Sequence, residues 1–466
     1  MVRKPAPAVT RREGILHRPL PEPPAALRRG PLRPDAWASI ARSERTAALL
    51  GTAVGLTFTI CFVTGLLSHL AQHPPGWFSW PSRPVGLYRV TQGLHVVSGF
   101  AAIPLLLAKL WTVYPKLFEW PPLRTVAHAV GRLSLLVLVG AALFQLITGV
   151  LNVSRWYAPM PFFFTTTHYW TAWVVIGAIM VHVGSKLPEI RRGLARSPTT
   201  VTAPTAAEPE VDANPEFDAD PGVAEDVGVA EDPGVAEDVG IDTLPGTDTE
   251  PVTDDQPVAG SEPQAAPRAG ALSRRGFLVT VAATSGVIAL TTVGQTVPAL
   301  TGLTVLGARD PGLGSQGLPV NKSASSARVL ESAVDPTYRL ILDGPRPQEL
   351  SLAVLLSLPR QSVTLPITCV EGWSASARWS GIRITDLLDL MGLDADAEVE
   401  VESLQEGGLY RSSRLSPPHS RDPLTTLALQ VNGERLDLDH GYPLRLIAPN
   451  RPGVLQTKWI SRIRAV

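Results

Sequence analysis

Cys369 lies in a run of residues whose types suit the binding of a redox-active metal. The run reads Ile-Thr-Cys-Val-Glu-Gly-Trp-Ser over residues 367–374, and Trp-Ser-Gly follows at 379–381. A soft thiolate binds transition metals, and coordination keeps the sulfur deprotonated. A cysteine standing alone is more often a small buried hydrophobic residue. The context therefore predicts Cys369 as a metal ligand and as the centre of a catalytic site.

A second group of polar residues near the C-terminus is typical of a phosphate-binding site. It consists of His-Gly-Tyr-Pro-Leu-Arg at 440–445 and Gln-Thr-Lys at 456–458. Arg445 can pair with a phosphate as a bidentate fork, and Lys458 can pair with it as a point charge. An ordinary strand arginine in a surface salt bridge is the alternative for Arg445.

In order and spacing, these motifs resemble the sulfite oxidase family, especially its bacterial branch of periplasmic protein-methionine-sulfoxide reductases. The resemblance covers about residues 318–466. It implies molybdopterin with molybdenum as cofactor, and Cys369 as the molybdenum ligand. His440 departs from the asparagine of some bacterial members, whereas eukaryotic sulfite oxidases have His-Gly there. The residues that fall where the family contacts its molybdopterin are Asn321, Ser403, His440, Arg445, Gln456, Thr457 and Lys458.

The resemblance also implies oxygen-atom transfer between molybdenum and a small oxyanion or a sulfoxide. Tyr410 falls near the family's active-site tyrosine, and Arg378 or Arg411 is predicted by proximity to hold an anionic substrate. A packed tyrosine and two surface arginines are the alternative. The match to the bacterial branch favours reduction of an external S-oxide with quinol as donor. Sulfite oxidation that feeds electrons inward, or a non-catalytic cofactor-binding scaffold, is the alternative function.

Charge is strongly segregated along the chain, although 41 basic and 42 acidic residues nearly cancel. Residues 1–45 carry ten Lys or Arg against four acids, whereas residues 197–267 contain eighteen acids and no Lys or Arg. The acidic stretch repeats Gly-Val-Ala-Glu-Asp three times and lacks the apolar residues that would offset the entropy of ordering. It is predicted to be a disordered tether. No basic groove with interleaved aromatic residues is present, which argues against a nucleic-acid partner.

Four apolar stretches follow the basic N-terminus, at about residues 47–70, 86–112, 128–151 and 168–187. Each is long enough to cross a hydrocarbon core of roughly 30 Å. Lys and Arg residues precede the first stretch, flank the loop between the second and third, and follow the fourth. The positive-inside rule therefore places both ends of this predicted bundle in the cytoplasm.

The segment Ser-Arg-Arg-Gly-Phe-Leu at 273–278 precedes an apolar run from Val279 to about Leu306. Paired arginines ahead of such a run form the twin-arginine export signal, which makes the export machinery a predicted partner. Without a convincing Ala-x-Ala cleavage site, the run is predicted to remain as a fifth span. The predicted location is the bacterial plasma membrane, in contact with lipid, with the C-terminal domain on the extracytoplasmic side.

Histidines suggest what the predicted bundle does, because ionisable residues within spans are costly and usually functional. His168 and His182 are fourteen residues apart, about 21 Å along one face of a helix. This spacing suits axial ligands of two stacked b haems, and the arrangement resembles in topology the di-haem cytochromes b of membrane-bound hydrogenases and formate dehydrogenases. By depth, His128 pairs with His182, and His95 or the competing His69 pairs with His168. Interfacial or hydrogen-bonding histidines are the alternative.

A haem-bearing bundle would exchange single electrons with the quinone pool. The alternative is that the bundle binds no haem and serves only as an anchor. Three arginines near the span ends are candidates for pairing with haem propionates or for anchoring the helices: Arg89, Arg132 and Arg155.

The predicted fold class is therefore multi-domain: an all-α transmembrane four-helix bundle plus a fifth span, then an α+β sulfite-oxidase-like molybdopterin domain. Within the last domain, strands are expected at 338–343, 362–368, 398–403, 427–431, 444–447 and 459–466, with helices at 350–358 and 384–391. The domain division is 1–45 basic cytoplasmic tail, 46–192 cytochrome-b-like bundle, 193–270 acidic linker, 271–306 twin-arginine signal-anchor span and 307–466 molybdopterin-binding domain.

Overall fold

The computed structural model describes residues 39–118, 125–195, 273–307 and 309–466, together with short stretches between residues 22 and 37. Nearly all of the predicted acidic tether lies outside the described residues. A short helix, α1, spans Ala25–Arg29. The rest of the described chain divides into long apolar helices and a C-terminal domain rich in strands.

Five long helices form what we call the helical region. They are α2 (Glu44–Gln72), α3 (Leu87–Val113), α4 (Val126–Val153), α5 (Phe164–Ala195) and α6 (Arg274–Val293). Three of them have a hydroxyl residue as N-cap. The side chains of Ser43, Thr125 and Ser273 each accept a hydrogen bond from the backbone N–H three residues further along the chain. Five helices in the described residues are long and apolar enough to cross a membrane.

The helices carry apolar side chains on both their inner and their outer faces. Helix α2 packs along α3 and against α5, α4 packs along α5, and α6 packs along α3. Phe58, Leu106 and Val175 are buried where α2, α3 and α5 meet. In contrast, Leu136 and Met180 on the outside are each 69% exposed. Large exposed apolar residues on several helices are typical of a surface that faces lipid.

The fifth apolar run differs from its prediction at its C-terminal end. Helix α6 ends at Val293, and a 3-10 helix over Pro298–Leu303 follows it. Gln295 and Thr296 between these elements are buried against the C-terminal domain. The span therefore stops well before Leu306, and α6 is about 30 Å long, close to the thickness of a hydrocarbon core.

The C-terminal domain contains two five-stranded sheets. Its strands are β1 (Arg339–Asp343), β2 (Gln348–Ser351), β3 (Gln361–Thr368), β4 (Ser374–Arg383), β5 (Val399–Ser403), β6 (Ser412–Leu415), β7 (Thr426–Val431), β8 (Glu434–Arg435), β9 (Arg445–Ile447) and β10 (Ile460–Ala465). Its helices are α7 (Ala324–Ala327), α8 (Leu352–Ser357), α9 (Ile384–Leu390) and α10 (Pro417–Ser420). All six predicted strands and both predicted helices are present, whereas β2, β4, β6 and β8 were not anticipated.

One sheet has the strand order β2-β1-β10-β5-β6, with β1 and β10 parallel and the other pairs antiparallel. The other sheet is antiparallel, with the order β3-β4-β7-β8 and with β9 paired to β7. Leu342 and Ile463 of the first sheet share a core cluster with Ile382 and Leu446 of the second. The main core therefore lies between the two sheets.

Strand β3 carries the chain to Cys369. Its side chains alternate, with Val363, Leu365 and Ile367 buried on one face. Because the strand period is two residues, Cys369 continues the same inward-facing series. Cys369 shares a second apolar cluster with these residues and with Trp373.

The loop between α2 and α3 docks on the C-terminal domain mainly through Asn450. The side chain of Asn450 accepts a hydrogen bond from the Tyr88 backbone N–H at 2.6 Å and donates one to the Pro81 carbonyl at 2.7 Å. Arg83 also forms two hydrogen bonds of 3.0 Å with the buried carboxylate of Asp422. This loop is one of those that the flanking charges predict on the extracytoplasmic side of a membrane.

Candidate active site

A cavity of about 240 Å³ lies beside Cys369 in the C-terminal domain. Strand β3 ends directly before Cys369, β5 ends at Ser403 and β9 begins at Arg445, so strand ends supply part of the lining. The nine residues predicted from the sequence that line this cavity are Asn321, Cys369, Ser403, Tyr410, His440, Arg445, Gln456, Thr457 and Lys458. The fold thus brings together residues from distant parts of the sequence.

A tight turn holds Cys369 at one side of the cavity. The Cys369 backbone N–H donates to the Trp373 carbonyl at 2.9 Å, and the Gly372 N–H donates to the Cys369 carbonyl at 3.1 Å. The Asn321 amide donates to the Cys369 sulfur at 2.8 Å. Burial raises the pKa of the Cys369 thiol, and the nearby charge of Glu371 raises it further. A cation bound to the sulfur would therefore be needed to stabilise the thiolate in this environment.

Glu371 is a buried carboxylate beside Cys369 for which the sequence motifs predict no role. Its side chain is only 7% exposed, and it accepts hydrogen bonds from Asn321 Nδ2 at 3.2 Å and from Trp373 Nε1 at 3.3 Å. Burial raises the pKa of this carboxyl, while the guanidinium of Arg155, 3.5 Å away, opposes the rise. Arg155 comes from the helical region, so no local pattern around Cys369 could have indicated the pair.

Arg445 and Lys458 form a buried cationic end of the cavity. Burial lowers the pKa of Arg445 to about 9. Burial, together with the charge of Arg445, lowers the pKa of Lys458 to about 6. The Lys458 amine donates to the carbonyls of Lys322 at 2.5 Å and Asp439 at 2.8 Å. Among the described residues that line the cavity there is no carboxylate, so this end is suited to an anion.

The neighbouring polar side chains hold the loops that shape the cavity. Gln456 exchanges two hydrogen bonds of 2.8 Å with the backbone of Ala448. The hydroxyl of Ser403 donates to the Lys458 carbonyl at 2.7 Å, and Thr457 shares a hydroxyl hydrogen bond of 2.7 Å with Ser413. These contacts place the segment 456–458 against the cavity.

His440 is neutral in this setting. Burial and the charge of Arg445 lower its pKa to about 4. The neutral imidazole can therefore donate from Nε2 to the Ser315 carbonyl, 2.6 Å away. This bond ties the start of the domain to the cationic end of the cavity.

Tyr410 lines the cavity and also contacts the helical region. Its hydroxyl donates to Gln72 Oε1 at 3.2 Å, and Gln72 lies at the end of α2. The amide of Gln72 in turn donates to the Ser68 hydroxyl at 3.1 Å. The helical region thus contacts a residue that lines the cavity, although no described residue of the helical region lines the cavity itself.

The two arginines predicted to hold an anionic substrate lie outside the lining of this cavity. Arg378 is exposed on β4 between the buried residues Ala377 and Trp379, and its backbone N–H bonds to the side chain of Asn432. Arg411 follows Tyr410 but is exposed, and its carbonyl accepts from the Ser403 N–H. Strand alternation and the turn after Tyr410 direct both side chains away from Cys369.

Comparison with known families bears on the same segment. Residues 327–466 match the family model described as the oxidoreductase molybdopterin binding domain. This segment is a molybdopterin-binding oxidoreductase domain. The match does not extend over the helical region or over Asn321, which lies just before it.

Sulfite oxidases are among the curated relatives of the chain. The Arabidopsis thaliana sulfite oxidase is 28% identical over 165 residues, which cover 28% of this chain and 42% of the relative. The mitochondrial sulfite oxidase of Mus musculus is 31% identical over 160 residues, which cover 28% of this chain and 29% of the relative. The chain therefore spans less than half the length of these relatives.

Another relative comes from Azospira oryzae and is named "Putative protein-methionine-sulfoxide reductase subunit YedZ1". It is 33% identical over 113 residues, which cover 24% of this chain and 42% of the relative. A solved structure, the sulfane dehydrogenase SoxCD from Paracoccus pantotrophus, is 21% identical and covers 33% of this chain and 43% of its own. Its TM-score of 0.26 is too low for this likeness to bear on the fold.

The molybdopterin domain offers groups that suit such a cofactor. The buried atoms Asn321 Oδ1 and Arg445 Nε have no hydrogen-bond partner within the described protein, and both residues line the cavity. Buried polar atoms of this kind are usually satisfied by a bound group. A phosphate beside Arg445 and Lys458 and a metal at Cys369 would engage the orphaned donor, the cations and the thiol. The residues present therefore fit molybdopterin.

A second cavity, of about 210 Å³, lies within the helical region. His95 of α3 and His168 of α5 both line it, and their ring centroids are 6.3 Å apart with the rings at 82°. His95 Nδ1 lies 2.8 Å from the Cys61 carbonyl, and His168 Nδ1 lies 3.4 Å from the Thr148 hydroxyl. Partners at Nδ1 leave Nε2 of each imidazole for another ligand, the arrangement found around metal-binding histidines.

The competing candidate His69 also lines this cavity. Its ring stacks on Tyr169 at 3.8 Å and lies 5.0 Å from the ring of His73. His128 and His182 do not line this cavity. The structure thus brings His95 and His168 together, while the inner pair stays a prediction.

The pKa of Lys458 yields a test of the anion site in cofactor-free protein. Between the folded pKa of about 6 and an unfolded pKa of about 10.4, the unfolded state binds one more proton at this side chain. The free energy of unfolding therefore rises with pH across this window, by at most about 1.4 kcal/mol per pH unit. We expect Lys458→Met to flatten that slope in thermal unfolding of full-length protein made without molybdopterin.

Cofactor binding should also flatten the rise of stability with pH, because a bound phosphate keeps Lys458 protonated in the folded state. Lys116→Met, an identical change at an exposed position, serves as the matched control and should leave the slope unchanged. Equal slopes in Lys458→Met and wild-type protein would contradict a buried, deprotonated Lys458.

Proposed function

We propose that this chain is a membrane-anchored, molybdopterin-dependent oxidoreductase that reduces a small S-oxide and exchanges electrons with the quinone pool through haem b. The observation that carries the proposal is that consecutive residues line the two cavities. Cys369 lines the cavity of the molybdopterin domain, and Val370 lines the cavity of the helical region. The loop after Cys369 thus borders both candidate redox sites.

A hydrogen bond continues this connection into α3. The side-chain amide of Gln92 donates to the Val370 carbonyl at 2.5 Å, and His95 lies one helical turn further along the same helix. Gln92 and His95 both line the helical cavity. The backbone of the predicted metal-ligand loop is therefore joined to the helix that carries a candidate haem ligand.

Each group has residues placed to hold it. Cys369 would hold molybdenum, Arg445 and Lys458 would hold the pterin phosphate, and His95 with His168 would hold one haem b. When bound, molybdopterin supplies two-electron oxygen-atom transfer, and a bis-histidine haem supplies single-electron transfer. A second haem between His128 and His182 stays a prediction from their spacing. The sum of the reaction is a quinol and an S-oxide giving a quinone, a sulfide and water.

A neutral S-oxide suits the cavity better than an anion does. Arg378 and Arg411 do not line it, and the cofactor phosphate would occupy Arg445 and Lys458. The remaining ammonium, on Lys322, donates to Gln405 Oε1 at 2.9 Å. Uncharged residues that line the cavity include Leu409, Tyr410 and Val454. Sulfite oxidation with inward electron flow, a haem-free anchor and a non-catalytic scaffold are the alternatives.

The proposed location is the bacterial plasma membrane, with α2–α6 as spans. The loop between α2 and α3 and the start of the loop after α4 both contact the molybdopterin domain. Charge flanking the spans puts these loops outside the cytoplasm, so the domain would lie there too. The paired residues Arg274 and Arg275 at the start of α6 make the twin-arginine machinery the proposed export route.

The function is tested with full-length protein in quinol-containing membranes. We expect quinol-dependent reduction of methionine sulfoxide, followed by sulfide formation. Cys369→Ser should reduce the rate at least 100-fold, because the metal loses its protein ligand. His168→Ala should abolish reduction by quinol while sparing reduction by a soluble viologen donor, which bypasses the helical region.

Other outcomes would select the alternatives. Sulfite-dependent reduction of the haem without S-oxide turnover would favour inward electron flow. Viologen-dependent turnover that is equal in wild-type and His168→Ala protein, with no quinol activity in either, would favour a haem-free anchor. Activity that survives Cys369→Ser would contradict the proposed molybdenum site itself.

Gly65 provides a test of the haem site on its own. A Cβ atom added at Gly65 of α2 would come within 2.7 Å of His95 Cε1, closer than real Cβ contacts allow. We expect Gly65→Ala to displace the His95 ring and lower haem affinity about tenfold, seen as loss of the b-type difference spectrum. Gly55→Ala on the same helix meets nothing within 4 Å and should keep the spectrum. Full haem content in both variants would contradict His95 as a ligand.

A further inference from the structure

An arginine occupies an unusual backbone position at the end of α4. The helix ends at Val153, and the Trp156 N–H reaches back to the Leu151 carbonyl at 2.9 Å. Arg155 has a φ of 57°, in the left-handed region. Glycine is the usual residue at such a helix end because a side chain there is strained. Strained backbone of this kind persists where the surrounding structure holds it in place, and it is common at functional sites.

The side chain of Arg155 leaves the helical region and contacts the loop around Cys369. Its Nη2 donates to the Asn321 carbonyl at 2.9 Å, and its Nε lies 3.5 Å from Glu371 Oε1. Arg155 is about one-third exposed, whereas the Glu371 side chain is 7% exposed. Arg155 therefore supplies a cation to a carboxylate that is otherwise buried.

Asn321 carries this contact to the predicted metal ligand. Its amide nitrogen donates both to Glu371 Oε2 at 3.2 Å and to the Cys369 sulfur at 2.8 Å. Arg155 also binds Asn321, through a hydrogen bond to the Asn321 backbone carbonyl. The position of the donor to the sulfur thus depends on a residue of the helical region.

We infer that Arg155 is a positioning residue through which the helical region orients the Cys369 thiolate and sets its electron donation to the metal. The inference rests on the proposed function, because it requires Cys369 to hold molybdenum. Hydrogen bonds and charges next to a metal ligand tune both its orientation and its basicity. Here that surrounding shell is completed from a different part of the chain.

The physical consequence of removing Arg155 has a definite sign. At a pH at which Glu371 is ionised, its negative charge would lie close to the thiolate without the opposing cation. An uncompensated anion stabilises the more oxidised metal, so the metal becomes harder to reduce. The amide of Asn321 would also be held less firmly, so the length and direction of its hydrogen bond to the Cys369 sulfur would vary more.

The experiment uses purified full-length protein loaded with molybdenum. Arg155→Gly removes the side chain at a position whose backbone favours glycine, so the fold should be retained. At a fixed solution potential, the ratio of Mo(VI) to Mo(V) should rise about tenfold, and the g-values of the Mo(V) electron paramagnetic resonance signal should shift. Arg155→Lys, which keeps the charge, should restore most of the wild-type ratio.

Two further variants make the test specific. Arg83→Gln breaks another ion pair between the helical region and the molybdopterin domain, that with Asp422, and should leave ratio and signal unchanged. Adding Glu371→Gln to Arg155→Gly should return the ratio toward the wild-type value, because the uncompensated charge is removed. A wild-type signal and ratio in fully loaded Arg155→Gly would overturn the inference while leaving the proposed function intact. Wild-type protein without molybdenum, or a signal indifferent to Cys369→Ser, would instead overturn the proposed function.

Discussion

The close docking of the turn after Cys369 on the helical region is the constraint on which the rest of the structure depends. The Val370 carbonyl accepts from Gln92, and the Gly372 carbonyl accepts from the Thr296 hydroxyl at 2.7 Å. Gly372 has a φ of 100°, and a Cβ there would come within 2.7 Å of Val96. Only glycine allows both this backbone conformation and this approach. The loop after Cys369 and helix α3 are therefore in direct contact.

This contact explains features that would be puzzling in either part alone. The buried carboxylate of Glu371 is compensated by Arg155 from the far side of the contact, and Tyr410 of the cavity is held by Gln72. The helical region thus contacts the site through Arg155 and Gln72. In the proposed function, joining both redox sites in one chain also removes the need for a diffusing partner, because a tether keeps the effective concentration high.

Much of the molybdopterin domain could be predicted because its signals are local. The alternation in β3 and the motifs around Cys369 and Arg445 identify strand ends and residue types directly. The substrate residues were harder to predict, since proximity in sequence says little about direction. Arg411 adjoins Tyr410 yet faces solvent. The partnership of Glu371 and Arg155 depends on how two distant parts of the chain pack, which no local pattern records. The end of α6 was missed because its apolar composition continues beyond the helix.

Molybdenum and haem analysis on one sample of detergent-purified full-length protein, with a reduced-minus-oxidised optical spectrum, tests most directly whether one chain holds both redox groups. We expect about one molybdenum per chain, bound through Cys369, together with a bis-histidine b-type spectrum that depends on His95 and His168. Molybdenum without any b-type spectrum would contradict a redox role for the helical region, and absence of molybdenum despite an intact Cys369 would contradict the proposed function altogether.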